Sequence, residues 1–169
     1  MKRILIVAVA AFALVACQQK TKTAEPGAPV AQSEVSKTFM ARVGKEAGVK
    51  VLPSGLAYKV VRSGDATGLK PGPKDEVKVH YEGKLEDGTV FDSSYERGAP
   101  AAMPLNGLIE AWQEALQLMR PGDEWVLYVP PNLGYGAEGA GGTIPPGAAL
   151  IFRIELIGML PGEGRVGQG

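Results

Sequence analysis

The sequence predicts an α+β domain in which an antiparallel sheet curls over a single helix. Two observations carry that expectation. Between residues 52 and 160, short segments alternate apolar with polar side chains and are separated by Gly-, Pro- and Asp-rich stretches, the pattern of several short strands. One segment alone, residues 107–122, keeps a helical apolar period over several turns. Strands with one helix among them, joined by short turns, pack as one layer of sheet against that helix.

The first 16 residues read as a leader rather than as fold. Lys2 and Arg3 precede an unbroken apolar run from Ile4 to Ala16, which is too short for a bilayer-spanning helix of about 20 residues. "LVAC" (Leu14 to Cys17) resembles the bacterial lipobox, in which the cysteine is lipidated and becomes the mature N-terminus. Cys17 is the single cysteine, so no disulfide partner competes with that reading. Cleavage removes two of 18 basic residues and no acid, leaving 16 against 18, a mature balance of −2. Gln18 and Gln19 are not the acid that resembles an inner-membrane retention signal. The expected location is therefore the cell envelope, on the periplasmic face of the outer membrane where the source has two membranes.

Residues 17–35 lack apolar periodicity and are rich in Thr, Ala, Gln, Pro and Gly, and are expected to be a flexible tether. Extended, such a length reaches roughly 60 Å. Residues 36–51 read as a short helical lead-in. Ser36 is its expected cap, Phe39, Met40 and Val43 its apolar face, and Gly48 its end. So short a helix is marginal on its own, and a monomer is expected.

The domain itself is expected over 52–160. "GLAYKVV" (55–61) is a strand, and residues 63–75 are loop. Val77, Val79 and Tyr81 alternate with Lys78, His80 and Glu82 in a half-buried strand. Asp87-Gly88 is read as a two-residue hairpin turn leading into a returning strand that carries Phe91 and Asp92. In that register Gly83 faces Asp92, which puts Asp92 on the side of Tyr81. Residues 95–106 read as irregular connection. In "GLIEAWQEALQLMRPG" (107–122), Leu108, Ile109, Trp112, Ala115, Leu116 and Met119 share one face, with Asn106 as cap. "EWVLYVP" (124–130) is a strand, 130–147 a long loop and "AALIFRIELIGM" (148–159) the closing strand. Residues 161–169 are expected to be a disordered tail.

Several function classes fall away. Lys+Arg equals Asp+Glu at 18 each, so no basic field favours nucleic acid. Gly134, Gly136 and Gly139 match G-x-G-x-x-G, but "AGGTIPPG" follows where a helix is required. One histidine and one cysteine make no zinc set, and no metal is expected. His80 points away from Tyr81 and no strained elbow frames Ser93 or Ser94, so a solvated strand histidine is the better reading than a nucleophile and base. Glu82, Glu86 and Asp87 belong to a hairpin rather than to a cleft. What remains is a group of aromatic and large apolar residues with one acid, Asp92, among them.

Four stretches, "LPSGLAYKV", "VKVHYEGKLEDGTVFDSS", "PLNGLIEAWQEALQLMRPGDEW" and "LGYGAEGAGGTIPPGAALIFRIELI", resemble the FKBP-type peptidyl-prolyl isomerases, in order, from Leu52 to Leu160. The bacterial secreted members look most alike. The resemblance implies a curved five- or six-stranded antiparallel sheet around the short helix, and cis/trans isomerisation of X-Pro bonds without a cofactor. It implies catalytic roles for Tyr81, Asp92 and Tyr135. Phe91, Met103, Leu108, Ile109, Trp112, Ile144 and Phe152 are implied to bind substrate, with Trp112 as floor. The main-chain N–H of Ile109 and the hydroxyl of Tyr135 are implied to hold the substrate's carbonyls. Because Phe91 and Asp92 are both implied to reach the pocket, a bulge or bend is expected near 91–93. Met103 and Ala101 stand where aromatics are usual, Leu133 and Ala140 differ in the overhanging loop, and Ala111 replaces a common glycine. The implied partners are proline-containing unfolded or folding proteins, macrolide inhibitors of the FKBP class, and the membrane through the lipid anchor. The same groove also suits a proline-peptide-binding holdase chaperone, or an assembly lipoprotein with little turnover.

Overall fold

The computed structural model describes residues 29–162. The expected signal peptide, Cys17, residues 18–28 of the tether and residues 163–169 of the tail lie outside the described residues.

Among the described residues the architecture is α+β, as expected, with a seven-stranded antiparallel sheet. The strands are β1 (Val49–Val51), β2 (Ala57–Arg62), β3 (Glu76–Leu85), β4 (Val90–Ser93), β5 (Ala101–Pro104), β6 (Glu124–Val129) and β7 (Leu150–Leu160). They run in the order β1-β2-β6-β7-β3-β4, and β5 also pairs with β3. The long β3–β7 ladder runs from Glu76↔Leu160 to Leu85↔Leu150. β1 and β5 form where a helical lead-in and an irregular connection were expected. Their few residues carry little periodicity, and pairing with β2 and β3 decides them.

One face of the sheet wraps α2 (Glu110–Leu116). Val77, Val79, Leu127, Val129, Leu150, Ile154 and Leu156 are fully buried against Ala111, Ala115, Leu116 and Met119. Each large side chain removed from water in this way contributes about 1.5–3 kcal/mol before entropy is counted. α2 is shorter than its apolar stripe. Leu108 and Ile109 share that stripe but are extended (ψ 166° and 152°), and Asn106 sits in a 3-10 turn, Leu105–Gly107, rather than at a cap. The Leu108 carbonyl accepts the Gln113 side-chain amide at 2.7 Å, which ties the extended segment to the helix that follows it.

The opposite face carries α1 (Pro29–Val43), which begins inside the stretch expected to be tether. A proline is suited to a first helical turn because its missing N–H is not needed there. Phe39 and Val43, one turn apart, bury against Ala149, Tyr128 and Ile151. Ser36 is not the cap but lies mid-helix and fully buried. The helix ends at Val43, before Gly48.

The β3–β4 hairpin differs from the expected geometry in the length of its loop, and the expected bulge compensates. The Leu85 carbonyl accepts the Gly88 N–H and the Leu85 N–H reaches the Thr89 carbonyl, both at 2.9 Å, so the loop has three residues, Glu86 to Gly88. Gly88 has φ +91°, the left-handed residue such a loop requires. The loop is thus one residue longer than read from Asp87-Gly88. The ladder then pairs Lys84↔Val90 and Gly83↔Asp92, leaving Phe91 as the extra residue of a bulge. The bulge falls in the expected place and returns Asp92 to Gly83 and to the side of Tyr81.

Candidate functional site

Where α2 meets the concave face of the sheet, a cleft of about 230 Å³ opens between Tyr81, Phe91, Asp92, Met103, Gly107, Leu108, Ile109, Trp112, Tyr135 and Phe152. Its base is three edge-to-face aromatic pairs. Trp112 meets Tyr81 at 5.1 Å and 82° between ring planes, and meets Phe152 at 5.2 Å and 88°. Phe91 meets Phe152 at 5.6 Å and 88°. Such pairs match a ring's positive edge to another's negative face and are worth about 0.5–1.5 kcal/mol beyond area burial. Trp112 is nearly fully buried beneath them, which makes it the floor.

Gly83 makes the Phe91–Phe152 pair possible. A Cβ there would stand 2.6 Å from Phe91 Cζ and 2.8 Å from Phe152 Cε1. Only a glycine between Asp92 on β4 and Phe152 on β7 lets both rings lie over the ladder. The bulge at Phe91 turns consecutive side chains, Phe91 and Asp92, toward the same cleft.

Asp92 forms the polar wall. The Tyr81 hydroxyl donates to its Oδ2 at 2.5 Å, and the Arg97 guanidinium donates to its Oδ1. Arg97 also donates to the Tyr81 hydroxyl oxygen at 2.8 Å and lies 5.4 Å from the centre of the Tyr81 ring. Partial burial acts to raise the Asp92 carboxyl, but the Tyr81 hydroxyl and then Arg97 outweigh it and hold it below the usual carboxylate value. The Tyr81 hydroxyl is pushed up, first by burial and then by its bond to Asp92. Burial, with the Asp92 charge behind it, also raises Tyr135. The acid is therefore ionised and the two phenols are protonated donors at neutral pH.

Of the residues expected at the site, Tyr81, Phe91, Asp92, Met103, Leu108, Ile109, Trp112, Tyr135 and Phe152 come together in the cleft. Ile144 does not line it. It is buried in the core and paired through its backbone with Ala140 in the overhanging loop. Ile109 precedes the first turn of α2, so its N–H has no carbonyl four residues back to meet. Two residues were missed. Gly107 lines the rim. Arg97 returns to Asp92 through a turn whose Arg97 N–H reaches the Ser93 carbonyl at 3.4 Å. A cation five residues after an acid in an irregular connection gives no periodic signal, so nothing in the chain marked it. His80 lies outside the cleft, as expected, but it is half-buried rather than solvated, stacked on Tyr95 at 4.6 Å with Nδ1 2.9 Å from Ser94 Oγ. Ser94 is fully buried and accepts the Tyr81 N–H at 2.8 Å, a structural use of the hydroxyl. Among the described residues no group of His, Cys, Asp and Glu side chains forms a metal site.

A small antiparallel sheet wrapped on one helix, with an aromatic cleft at their junction and a single oriented acid on its wall, defines a binding cleft for a compact apolar group. Residues 68–157 match the FKBP-type peptidyl-prolyl cis-trans isomerase family, and residues 6–60 match the domain amino terminal to FKBP-type peptidyl-prolyl isomerase. The chain belongs to the FKBP-type peptidyl-prolyl cis-trans isomerases. It is 52% identical over 125 residues to peptidyl-prolyl cis-trans isomerase Mip of Coxiella burnetii, covering 74% of this chain and 54% of that one. It is 48% identical over 119 residues to outer membrane protein MIP of Legionella longbeachae, covering 70% of this chain and 50% of that one. The crystal structure of a peptidyl-prolyl cis-trans isomerase from Pseudomonas syringae pv. tomato superposes with a TM-score of 0.74 at 38% identity, covering 81% of this chain and 99% of that one. The chain spans about half the length of the Coxiella and Legionella relatives.

Proposed function

We propose that the protein accelerates rotation about X-Pro bonds in folding envelope proteins, and that the aromatic cleft is where this occurs. The observation that carries the reading is the Trp112 floor beside an ionised Asp92 held by Tyr81 and Arg97. The X-Pro bond resists rotation by about 18–20 kcal/mol because resonance gives its C–N bond double-bond character. Resonance also makes the planar amide charge-separated, and that polarity falls as the bond twists. A dry aromatic cleft therefore disfavours the planar ground state more than the twisted transition state, which is differential binding. Lowering the barrier by about 4–5 kcal/mol gives roughly a thousandfold or more.

In this mechanism the proline ring rests on Trp112 between Tyr81, Phe91 and Phe152. The Ile109 N–H and the Tyr135 hydroxyl hold the carbonyls on either side, and Asp92 shapes the field around the proline's amide. Met103 fills the side of the cleft with a flexible thioether, which suits varied residues before proline. Macrolides of the FKBP class are expected to compete for the same floor.

Cys17 is proposed as a lipid anchor, with the domain in the cell envelope. The name of the Legionella relative, an outer membrane protein, supports that placement. Among the described residues no helix is long and apolar enough to cross a membrane. A monomer is proposed because α1 buries Phe39 and Val43 on its own sheet instead of offering them to a second chain. Isomerisation of a proline peptide, measured beside suppression of aggregation of an unfolded protein, tests the reading. Acceleration that a macrolide abolishes supports it; aggregation suppression with no acceleration replaces it with a holdase.

A further inference from the structure

Tyr135 is the site residue with the least local support. It stands in the loop 131–147, it is 39% exposed, and its hydroxyl has no hydrogen-bond partner among the described residues. No hydrogen bond fixes that hydroxyl, so its place depends on the backbone that carries the ring and on the cleft the ring lines. Three bonds hold the backbone there, one of them from the Gly139 N–H to the Tyr135 carbonyl at 3.2 Å. The Gly136 N–H reaches the Pro131 carbonyl at 2.8 Å, and the Gly136 carbonyl accepts the Gly147 N–H at 2.8 Å. Gly147 has φ +72°, so the chain turns sharply there. Its carbonyl is in turn held by a residue from the other face of the sheet. Ser36 of α1, fully buried, shares its one proton between the Gly147 carbonyl at 2.8 Å and Glu86 Oε2 at 2.9 Å. It accepts the Ala149 N–H at 2.9 Å.

A mid-helix serine has no such duty by default; it is neutral or unfavourable in a helix interior and usually faces water or its own backbone. Here the hydroxyl leaves its helix entirely and takes both backbone groups that flank residue 148, at the base of the loop. Phe39 and Val43 fix the approach, since both bury against the start of β7 and its neighbour Tyr128. The route from Ser36 to the cleft is Ser36 to Gly147, Gly147 to Gly136, and one peptide bond to Tyr135.

We propose that Ser36 is a positioning residue for the isomerase site: docked α1 holds the base of the 131–147 loop and thereby sets Tyr135 over the cleft. The proposal rests on the isomerase reading for its kinetic consequence and on the hydrogen bonds alone for its structural one. Substrate carbonyls held by Tyr135 are held in ground and transition states alike, so loosening the loop raises KM more than it lowers kcat.

The test uses the full chain. Ser36→Ala is expected to lower kcat/KM for a proline peptide about three- to tenfold, the scale of one hydrogen bond, with most of the change in KM. Combined with Tyr135→Phe, it should cost less than the product of the single effects, because both act on one hydroxyl. A general loss of structure would instead lower kcat and multiply with Tyr135→Phe, and that result, or an unchanged kcat/KM for Ser36→Ala, overturns the proposal. Native-state amide exchange of the unmutated chain decides independently of how the variant folds. The Gly147 N–H, which bonds to Gly136 and not to α1, should open together with the α1 amides; a Gly147 amide that stays protected while α1 opens overturns the proposal. A wild-type chain without isomerase activity counts against the function and leaves the exchange result to decide the coupling.

Discussion

Asp92 owes its state to two donors of different strength. The Tyr81 hydroxyl approaches from within the cleft, and Arg97 approaches from its exposed edge. Water and salt screen an exposed ion pair, so Arg97 tunes the acid more than it secures the fold. The pH dependence follows with a definite sign. A carboxyl held below its ordinary value stays ionised as pH falls through about 3.9, and its bonds are lost only when pH passes the lower folded-state value. The Asp92 contribution to kcat/KM should therefore be constant from pH 8 down to about 4 and decline only below that, measured with circular dichroism alongside. Arg97→Ala should move this acid limb upward and lower kcat/KM at pH 7 by less than about fivefold. A limb centred above the ordinary carboxylate value in wild type would show that burial, not the donors, governs Asp92. Asp92 and Tyr81 were legible in the sequence because hairpin register and face alternation place them together. Arg97 was not, because its approach depends on a turn with no periodic signature.

The β3–β4 hairpin shows how local rules combine at the scale of an element. A loop one residue longer than a two-residue turn would put every later side chain of β4 on the wrong face, since strand period is two. The bulge at Phe91 restores the register, and the resemblance, not the alternation, marked where it falls. Gly83 allows the result by leaving room for two rings. Gly83→Ala should cost about 1–3 kcal/mol in urea unfolding, since the new methyl group displaces Phe91 and Phe152. The same variant should lose most activity while keeping its secondary structure; unchanged stability and activity would mean that the ring pair is dispensable. The start of α2 was misread for a related reason. Leu108 and Ile109 fit the helical stripe, but they serve the cleft in extended form, and packing there overrides the period. α1 hid its extent because its apolar face is narrow, little more than Phe39, Met40 and Val43, and its polar Ser36 is used for docking.

At the scale of the whole molecule, the two faces of one sheet do different work: the concave face builds the cleft, and the convex face carries α1, which enters from the N-terminal side. The α+β class and nearly all of the cleft were readable because periodicity, turns and a family resemblance agree over one continuous stretch. The added strands were not, since β1 and β5 are too short to show a period and form only by pairing with β2 and β3; nor was the docking of α1, which depends on distant contacts such as Ser36 with Glu86 and Ala149. The anchor is tested by fractionation: Cys17→Ser should leave the membrane fraction, and a wild-type chain already soluble in the periplasm would contradict lipidation. At this scale the decisive property of the molecule is whether its cleft acts through an oriented acid and not through apolar surface alone. The most direct measurement is kcat/KM for a proline peptide in wild type, Asp92→Leu, Tyr81→Phe and their double variant, with unfolding stability taken on the same samples. A lost charge-assisted bond is worth about 1.5–3 kcal/mol, so Asp92→Leu should fall roughly ten- to a hundredfold while remaining folded. Tyr81→Phe should fall less, and the double variant should cost less than the product of the two. A fully active, normally stable Asp92→Leu protein would contradict the account.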